Sequence, residues 1–371
     1  MRLLSVVGTR PELIQAMPLS LALRQENEEV LVHTDQHTDP RMSEAFFEEL
    51  GLPAPKYHLG VEHGPQGRQT AEMMSRLEDI LLTEQPDLVI VRGDTNSTLA
   101  GALAASKLSI PVAHIEAGER SFDRRMPEEL NRKVADHVSQ YHFCASRKAV
   151  RHLASEGIIG SVYWVGDVLL DALHQMWAWG RGSTVVLDRL RLRPREYALV
   201  TVHRAENTDD PARLRKIVQT LNLTNEPVVF PVHPRTSRCL RDLGATFRRH
   251  VRLIEPLGFL DMLSLEGSAR LIATDSGGVQ REAYFLGVPC LTFREKTEWS
   301  ETVEAGWNRM VGIEPERALE AWHEFQPPAS RPALYGDGRA SQRIAAFLRG
   351  EPIDPPVETL DRALSRSIPY A

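Results

Sequence analysis

Two series of short apolar runs, each breaking abruptly into glycine or polar residues, constrain this chain most. LLSVVG (3–8), VLVHT (30–34), DLVIVRGD (87–94) and PVAHIEAG (111–118) form the first series. YALVTVH (197–203), PVVFPVH (227–233), VRLIE (251–255), ARLIATD (269–275) and PCLTF (289–293) form the second. A strand with one wet face alternates polar and apolar residues, whereas a strand that is apolar throughout must be covered on both faces. Helix-like stretches between the runs, such as MSEAFFEEL (42–50) and STLAGALAASKL (97–108), supply the cover. This βαβ grammar predicts an α/β protein built on open, doubly wound parallel sheets.

A chain of 371 residues exceeds what one ordinary core organises. Two Rossmann-like domains are therefore expected, over 1–166 and 167–351. Gly166 and the Gly-Arg-Gly at 180–182 mark the connection between them. The tail YGDGRASQRIAAFLRG reads as a capped helix after a glycine-rich turn, crossing back to the first domain. A C-terminal helix over about 352–371 is expected to pack there too. Ligands of such sheets sit beyond the carboxyl ends of the strands, which predicts a site in a central cleft faced by the two domains.

Composition excludes several classes of function. With 44 basic and 50 acidic residues the formal charge is −6, which gives no general attraction to nucleic acid or anionic membrane. No uninterrupted apolar stretch reaches membrane-spanning length, and MRLLSVVG carries no cleavage site, so a cytoplasmic protein is expected. Cys144, Cys239 and Cys290 lack CxxC spacing and read as buried thiols; neither a metal site nor a cofactor is expected.

Six polar clusters fall at predicted strand ends. GTRPE (8–12) supplies Arg10 at a helix start, and RGDTNST (92–98) supplies Asp94. HIEAGERSFDRRMPEELNR (114–132) carries Glu116, Arg120, Asp123, Glu128 and Arg132. VHRAEN (202–207) places His203 and Arg204 at the mouth of the second sheet, and PVHPRT (231–236) adds His233. TDSGGVQRE (274–282) supplies Asp275 and Glu282 around a Ser276-Gly277-Gly278 turn, where bare amides and a helix start make an anion cradle. Taken singly, each has a structural alternative: the carboxylates as helix caps or ion pairs, the histidine as a satisfied core residue, the glycines as plain turns. Their coincidence at strand ends in both series favours function.

These clusters, with TEWSETVEAG (297–306), together resemble the non-hydrolysing UDP-N-acetylglucosamine 2-epimerases, in order along nearly the whole chain. The resemblance implies a glycosyltransferase-B-like pair of Rossmann domains, a UDP-sugar substrate, no metal or nicotinamide, and a homodimer. It places the family's catalytic groups on Asp94, Glu116, Glu128 and His203. Nucleotide-binding positions fall on Arg10, Ser276, Gly277, Gly278 and Glu282, and Arg132 and His233 complete the substrate-binding set. The implied chemistry is elimination of UDP to a glycal and re-addition after the C2 proton returns on the opposite face. Which carboxylate is the base stays open. A UDP-2,3-diacetamido-uronate 2-epimerase, with Arg92 or Arg120 meeting the sugar carboxylate, and a UDP-sugar glycosyltransferase are the alternatives. Three residues depart from the pattern: Gln15 where a lysine is usual, Trp299 where an arginine is common, and Glu119 where a neutral residue is usual.

Overall fold

A computed structural model describes residues 1–36, 47, 50–61, 64–178 and 185–353. Most of the helix expected over 42–50, the Gly-Arg-Gly at 180–182 and nearly all of the helix expected over 352–371 lie outside the described residues. The chain forms two compact units, Met1–Gln175 joined by the segment from Ala333 onward, and Met176–Pro332.

The first unit holds a seven-stranded sheet of β1 (Arg2–Val7), β2 (Glu28–His33), β3 (Tyr57–His58), β4 (Leu88–Arg92), β5 (Val112–Ile115), β6 (Tyr141–Cys144) and β7 (Val162–Trp164). Its spatial order is β3-β2-β1-β4-β5-β6-β7, and every pairing is parallel. The apolar runs explain it: Leu3 to Val7 and Leu88 to Arg92 are buried without interruption. Helix Asn96–Lys107 lies close to this sheet because its side chains are small. A Cβ on Gly101 would come within 2.9 Å of Val91 and 3.2 Å of Val6.

The second unit holds β8 (Ala198–Thr201), β9 (Val228–Pro231), β10 (Val251–Ile254), β11 (Leu271–Thr274), β12 (Cys290–Thr292) and β13 (Asn308–Met310). Their order is β10-β9-β8-β11-β12-β13, again parallel throughout. Val200, Phe230, Ala273, Leu291 and the fully buried Trp322 anchor its core. In both sheets the strand order reverses once, between β1 and β4 and between β8 and β11. Chain connections diverge there and leave a crevice at the strands' carboxyl ends.

The division of the chain differs from the expected 1–166 and 167–351. Helix Val168–Ala178 starts in the first unit, and the segment from Ala333 returns to it. The reason is a set of bonds around Gly166. Asp167 N–H donates to the Tyr335 carbonyl at 2.9 Å, and the Asp171 carboxylate accepts from the amides of Ala340 (3.0 Å) and Ser341 (2.6 Å). Helix Ala340–Leu348 then buries Ile344 and Ala345 in the first core, and Phe347 packs on Tyr141, Phe143 and Tyr163.

Buried charge ties β5 to the helix Pro127–Val138. Asp136 accepts from His114 Nδ1 at 2.7 Å and faces Arg120 at 2.7 Å, and all three side chains are fully buried. Burial opposes the charge on Asp136, but His114 and Arg120 outweigh it and hold the carboxyl below its ordinary range. Burial likewise disfavours the imidazolium of His114, yet Asp136 raises its pKa above the usual value. The Asp136 contribution is therefore present above the unfolded carboxylate pKa of about 4 and is lost as pH falls through the lower folded value. Asp136→Ala removes the buried partner of His114 and leaves Arg120 with Glu156 alone. We expect it to cost about 3–5 kcal/mol in urea denaturation at pH 7, with the gap from wild type narrowing below about pH 4.

Candidate functional site

Both places where strand order reverses carry the residues singled out in the sequence. In the first unit, β1 runs into Gly8-Thr9-Arg10 and β4 into Gly93-Asp94. A Cβ on Gly8 would fall 2.0 Å from Ser97 Oγ and 2.1 Å from Thr34 Oγ1, so the residue is glycine because three segments converge on it. The amides of Gly8 and Thr9 are already taken: both donate to Glu12 Oε2, at 2.7 and 2.9 Å. Thr95 Oγ1 donates to the other oxygen of Glu12 at 2.6 Å. The first turn of this unit is therefore occupied by the protein's own carboxylate. Burial raises the pKa of Glu12 despite the bonds from Thr95 and Gly8. Arg10 opens the helix Arg10–Leu23 directly after this turn.

The predicted carboxylates converge at the ends of β4 and β5. Arg92 and Ile115 are paired across these strands, so Asp94 and Glu116 leave the sheet side by side. Arg132 Nη2 donates to Asp94 Oδ2 at 2.5 Å, and Asn131 Nδ2 to the Asp94 carbonyl at 2.9 Å. Glu128 precedes Arg132 by four residues on helix Pro127–Val138, hence on the face that reaches Asp94. Glu116 has a φ of +68°, and the Phe143 carbonyl accepts from the amides of both Glu116 and Ala117. Its Oε2 accepts from Gln15 Nε2 at 2.6 Å. The neutral Gln15 holds this carboxylate by a hydrogen bond alone.

Other residues considered in the sequence turn out to be consumed by the core. Arg120 is bound by Asp136 and by Glu156 at 2.7 Å. Arg92 is fully buried and donates to the Val6 carbonyl at 3.2 Å. Neither is placed to meet a sugar carboxylate. Glu119 is also buried, with Ser146 Oγ 3.5 Å from its Oε1.

In the second unit, His203 and Ser276 flank the strand-order reversal between β8 and β11. Asp275, fully buried, fastens the two strand ends together. Its carboxylate accepts from the amides of His203 (3.0 Å) and Arg204 (3.1 Å) and from Asn207 Nδ2 (3.0 Å). The His203 ring lies 6.0 Å from that of His233, which caps the helix Pro234–Asp242. Burial, with Arg204, His233 and Arg235 nearby, keeps the His203 pKa below the ordinary imidazole value in spite of Asp275. That direction favours the uncharged ring, which can donate one hydrogen bond.

Ser276 caps the helix Gly277–Leu286. The two glycines serve different ends. A Cβ on Gly277 would sit 2.6 Å from Glu298 Oε1 and 2.9 Å from Trp299 Nε1, while on Gly278 it would meet nothing nearer than Ser276 Oγ at 3.8 Å. Gly277 is required by packing, and Gly278 keeps a bare, open face. Among the described residues no hydrogen-bond acceptor is found for either amide N–H. Trp299 is a buried support for this turn, with the Arg281 guanidinium stacked 4.0 Å over its ring. Glu282 lies on the same helix, nearly buried.

Sequence reasoning missed Asp275 as the organiser of the His203 turn, Glu12 as the occupant of the first turn, and Glu298 beneath Gly277. The signal for Asp275 was present in its place directly after an apolar run; nothing local marked Glu298.

The model of the UDP-N-acetylglucosamine 2-epimerase family matches residues 20–349. A UDP-N-acetylglucosamine 2-epimerase homolog of Methanococcus maripaludis is 47% identical, over 94% of this chain and 99% of its own. The UDP-2,3-diacetamido-2,3-dideoxy-D-glucuronate 2-epimerase of Pseudomonas aeruginosa is 45% identical with the same coverage. The crystal structure of Methanocaldococcus jannaschii UDP-GlcNAc 2-epimerase in complex with UDP-GlcNAc and UDP is similar at a TM-score of 0.89 and 41% identity, covering 94% of this chain and all of that one. Matched over 94% of its length in sequence and fold, the chain belongs to the UDP-N-acetylglucosamine 2-epimerase family.

Proposed function

We propose that this protein interconverts UDP-N-acetylglucosamine and UDP-N-acetylmannosamine. The observation that carries the reading is the Ser276-Gly277-Gly278 turn: two backbone amides without an internal acceptor, at a helix start, on the strand-order reversal that His203 also flanks. This is what a diphosphate requires. The first unit's equivalent turn is filled by Glu12, so phosphate binding is assigned to the second.

The sugar C2–H is not adjacent to a carbonyl, so direct deprotonation gives no stabilised carbanion. Elimination avoids this difficulty. A base takes the C2 proton, the C1–O bond to the β-phosphate breaks, and the electron pair of C–H becomes the C1=C2 bond of a glycal while UDP leaves with the bonding pair. The reverse addition, with a proton delivered to the other face, completes inversion. Preorganised donors stabilise the charge that develops on the β-phosphate, and we assign that role to the Gly277 and Gly278 amides, His203 and Arg10. Proton removal and return belong to Asp94, Glu116 and Glu128. Their different holds support distinct roles: Asp94 is paired with Arg132, and Glu116 is bonded to the neutral Gln15. Arg132 and His233 hold substrate, and Glu282 accepts the ribose hydroxyls. With Arg92 and Arg120 committed to the core, N-acetylhexosamine is favoured over a uronic acid as the substrate. A cytoplasmic homodimer completes the proposal.

In deuterated water, UDP-N-acetylglucosamine is expected to gain deuterium at C2 with no acceptor present. A glycosyltransferase would leave C2–H intact. Asp94→Asn, Glu116→Gln and Glu128→Gln should each lower turnover about 10²–10⁴-fold with little change in UDP affinity. Near-normal turnover in all three would end the catalytic assignment. The two glycines give a separate test. Gly278→Ala should melt like wild type and bind UDP about tenfold or more weakly in calorimetry, roughly 1.4 kcal/mol. Gly277→Ala should lose about 1–3 kcal/mol of stability through overpacking.

A further inference from the structure

A second constellation lies at the edge of the first sheet, among residues the proposed reaction does not use. β2 ends at His33 and β3 at His58, and these two residues are partners in the parallel register. Their side chains therefore leave the sheet on one face, with ring centroids 5.5 Å apart. Asp35 stands beside them. Its Oδ1 is 2.6 Å from His33 Nδ1 and 3.1 Å from His58 Nδ1, and the ligand atoms of all three residues lie within 4.8 Å of one another.

Three features set this cluster apart from a chance surface grouping. Asp35 has a φ of +59°, a left-handed conformation that costs a residue with a Cβ about 1 kcal/mol or more. That strained backbone is what aims the carboxylate at both imidazoles. The other carboxylate oxygen accepts from the Gly60 amide at 2.6 Å, so the orientation of Asp35 is fixed from the far side as well. Such outer bonds orient the ligands of metal centres. Finally, both imidazoles present the same atom, Nδ1, to a single oxygen. Two imidazole nitrogens and one carboxylate oxygen form a mixed N/O donor set suited to a divalent transition ion. Bonds of about 2.0–2.2 Å place tetrahedral ligands roughly 3.4 Å apart, so an ion would enter by a small outward shift of the imidazoles from the carboxylate oxygen they now share.

We propose that His33, Asp35 and His58 bind a divalent transition-metal ion, with zinc as the reference member of the class. The proposal stands apart from the catalytic reading and uses none of its residues. The site sits where an ion would tighten the loop after β2. Thr34 and Gln36, on either side of Asp35, both bond to Ser97: Thr34 Oγ1 lies 2.7 Å from Ser97 Oγ, and Gln36 Oε1 accepts the Ser97 amide at 3.0 Å. Ser97 belongs to the first turn of the helix that follows Asp94. An ion held by Asp35 would thus brace the turn that carries Asp94, which gives the site a positioning or regulatory use without a place in the reaction.

The test is zinc titration of the metal-stripped, full-length protein by competition with a chromophoric chelator, followed by X-ray absorption at the zinc edge. Wild type is expected to take up one zinc per chain with mixed nitrogen and oxygen ligation that includes two imidazoles. Asp35→Gly suits the backbone conformation at that position and should fold; His58→Ala changes a side chain at the sheet edge. Each should weaken binding by roughly tenfold or more while the zinc-free chain stays folded, as circular dichroism reads. Wild-type binding no tighter than that of the Asp35→Gly/His58→Ala double variant, or a spectrum without imidazole scattering, would overturn the proposal.

Discussion

A parallel sheet covered on both faces leaves polar chemistry almost nowhere to go except beyond its strand ends, and the rest of this molecule follows from that restriction. The strands at the centre of both sheets are buried from end to end, so the backbone groups past their carboxyl ends must be satisfied by turns, side chains or a ligand. The protein meets most of this demand with its own carboxylates. Glu12 takes the amides of Gly8 and Thr9, Asp275 those of His203 and Arg204, Glu129 that of Ser121 and Asp35 that of Gly60. A carboxylate bound by backbone amides makes strong, charge-assisted bonds, and each one closes a turn that an external anion would otherwise enter.

Against that background the Ser276-Gly277-Gly278 turn stands out by what its neighbours decline to do. Glu298 lies beneath Gly277, yet it is engaged with Arg294 at 3.0 Å and does not cap the glycine amides. Ser276 Oγ reaches only the Val279 amide, at 3.5 Å. The fold thus fills the first unit's strand-order reversal with an internal carboxyl group and leaves that of the second unit open. The acids nearest this turn, Asp275 and Glu298, are buried and engaged with protein donors, Asp275 with the His203 and Arg204 amides and Glu298 with Arg294 and Arg204. An anionic ligand at the glycine amides would meet no exposed carboxylate from either.

Much of this was legible in the sequence, for physical reasons that also explain the failures. The apolar runs marked β1, β2, β4, β5 and β8 to β12 because central parallel strands need uninterrupted apolar residues. Four short strands escaped, three at sheet edges and one, Tyr141–Cys144, next to an edge. Tyr57–His58, Tyr141–Cys144, Val162–Trp164 and Asn308–Met310 are two to four residues long, mix polar with apolar side chains, and owe their state to a neighbour already in place. Site residues read from strand ends proved easier to find than their supports. Asp94, Glu116 and His203 sit where the runs break, whereas Glu298 and Trp299 reach Gly277 from another loop. Arg92 and Arg120 misled because charge in the sequence suggests solvent, while here buried surroundings hold both guanidinium groups.

Two of the carboxylates at strand ends sit on strained backbone. Of the carboxylates that follow strands, Asp35 and Glu116 hold φ values of +59° and +68°, which a residue with a Cβ adopts at a cost. Asp136, whose task is to pair buried cations, sits within a helix and shows no such distortion. A carboxylate needed only for stability can take up its bonds from relaxed backbone. One that must point at a fixed place from a particular turn often cannot, and the surrounding hydrogen bonds then have to hold it there. The Phe143 carbonyl does this for Glu116, accepting two successive amides, and the Thr34 and Gln36 bonds to Ser97 do it for Asp35. The same logic accounts for Gln15. Its amide donates to Glu116 Oε2 from the helix Arg10–Leu23 and so helps to fix the direction of that carboxylate.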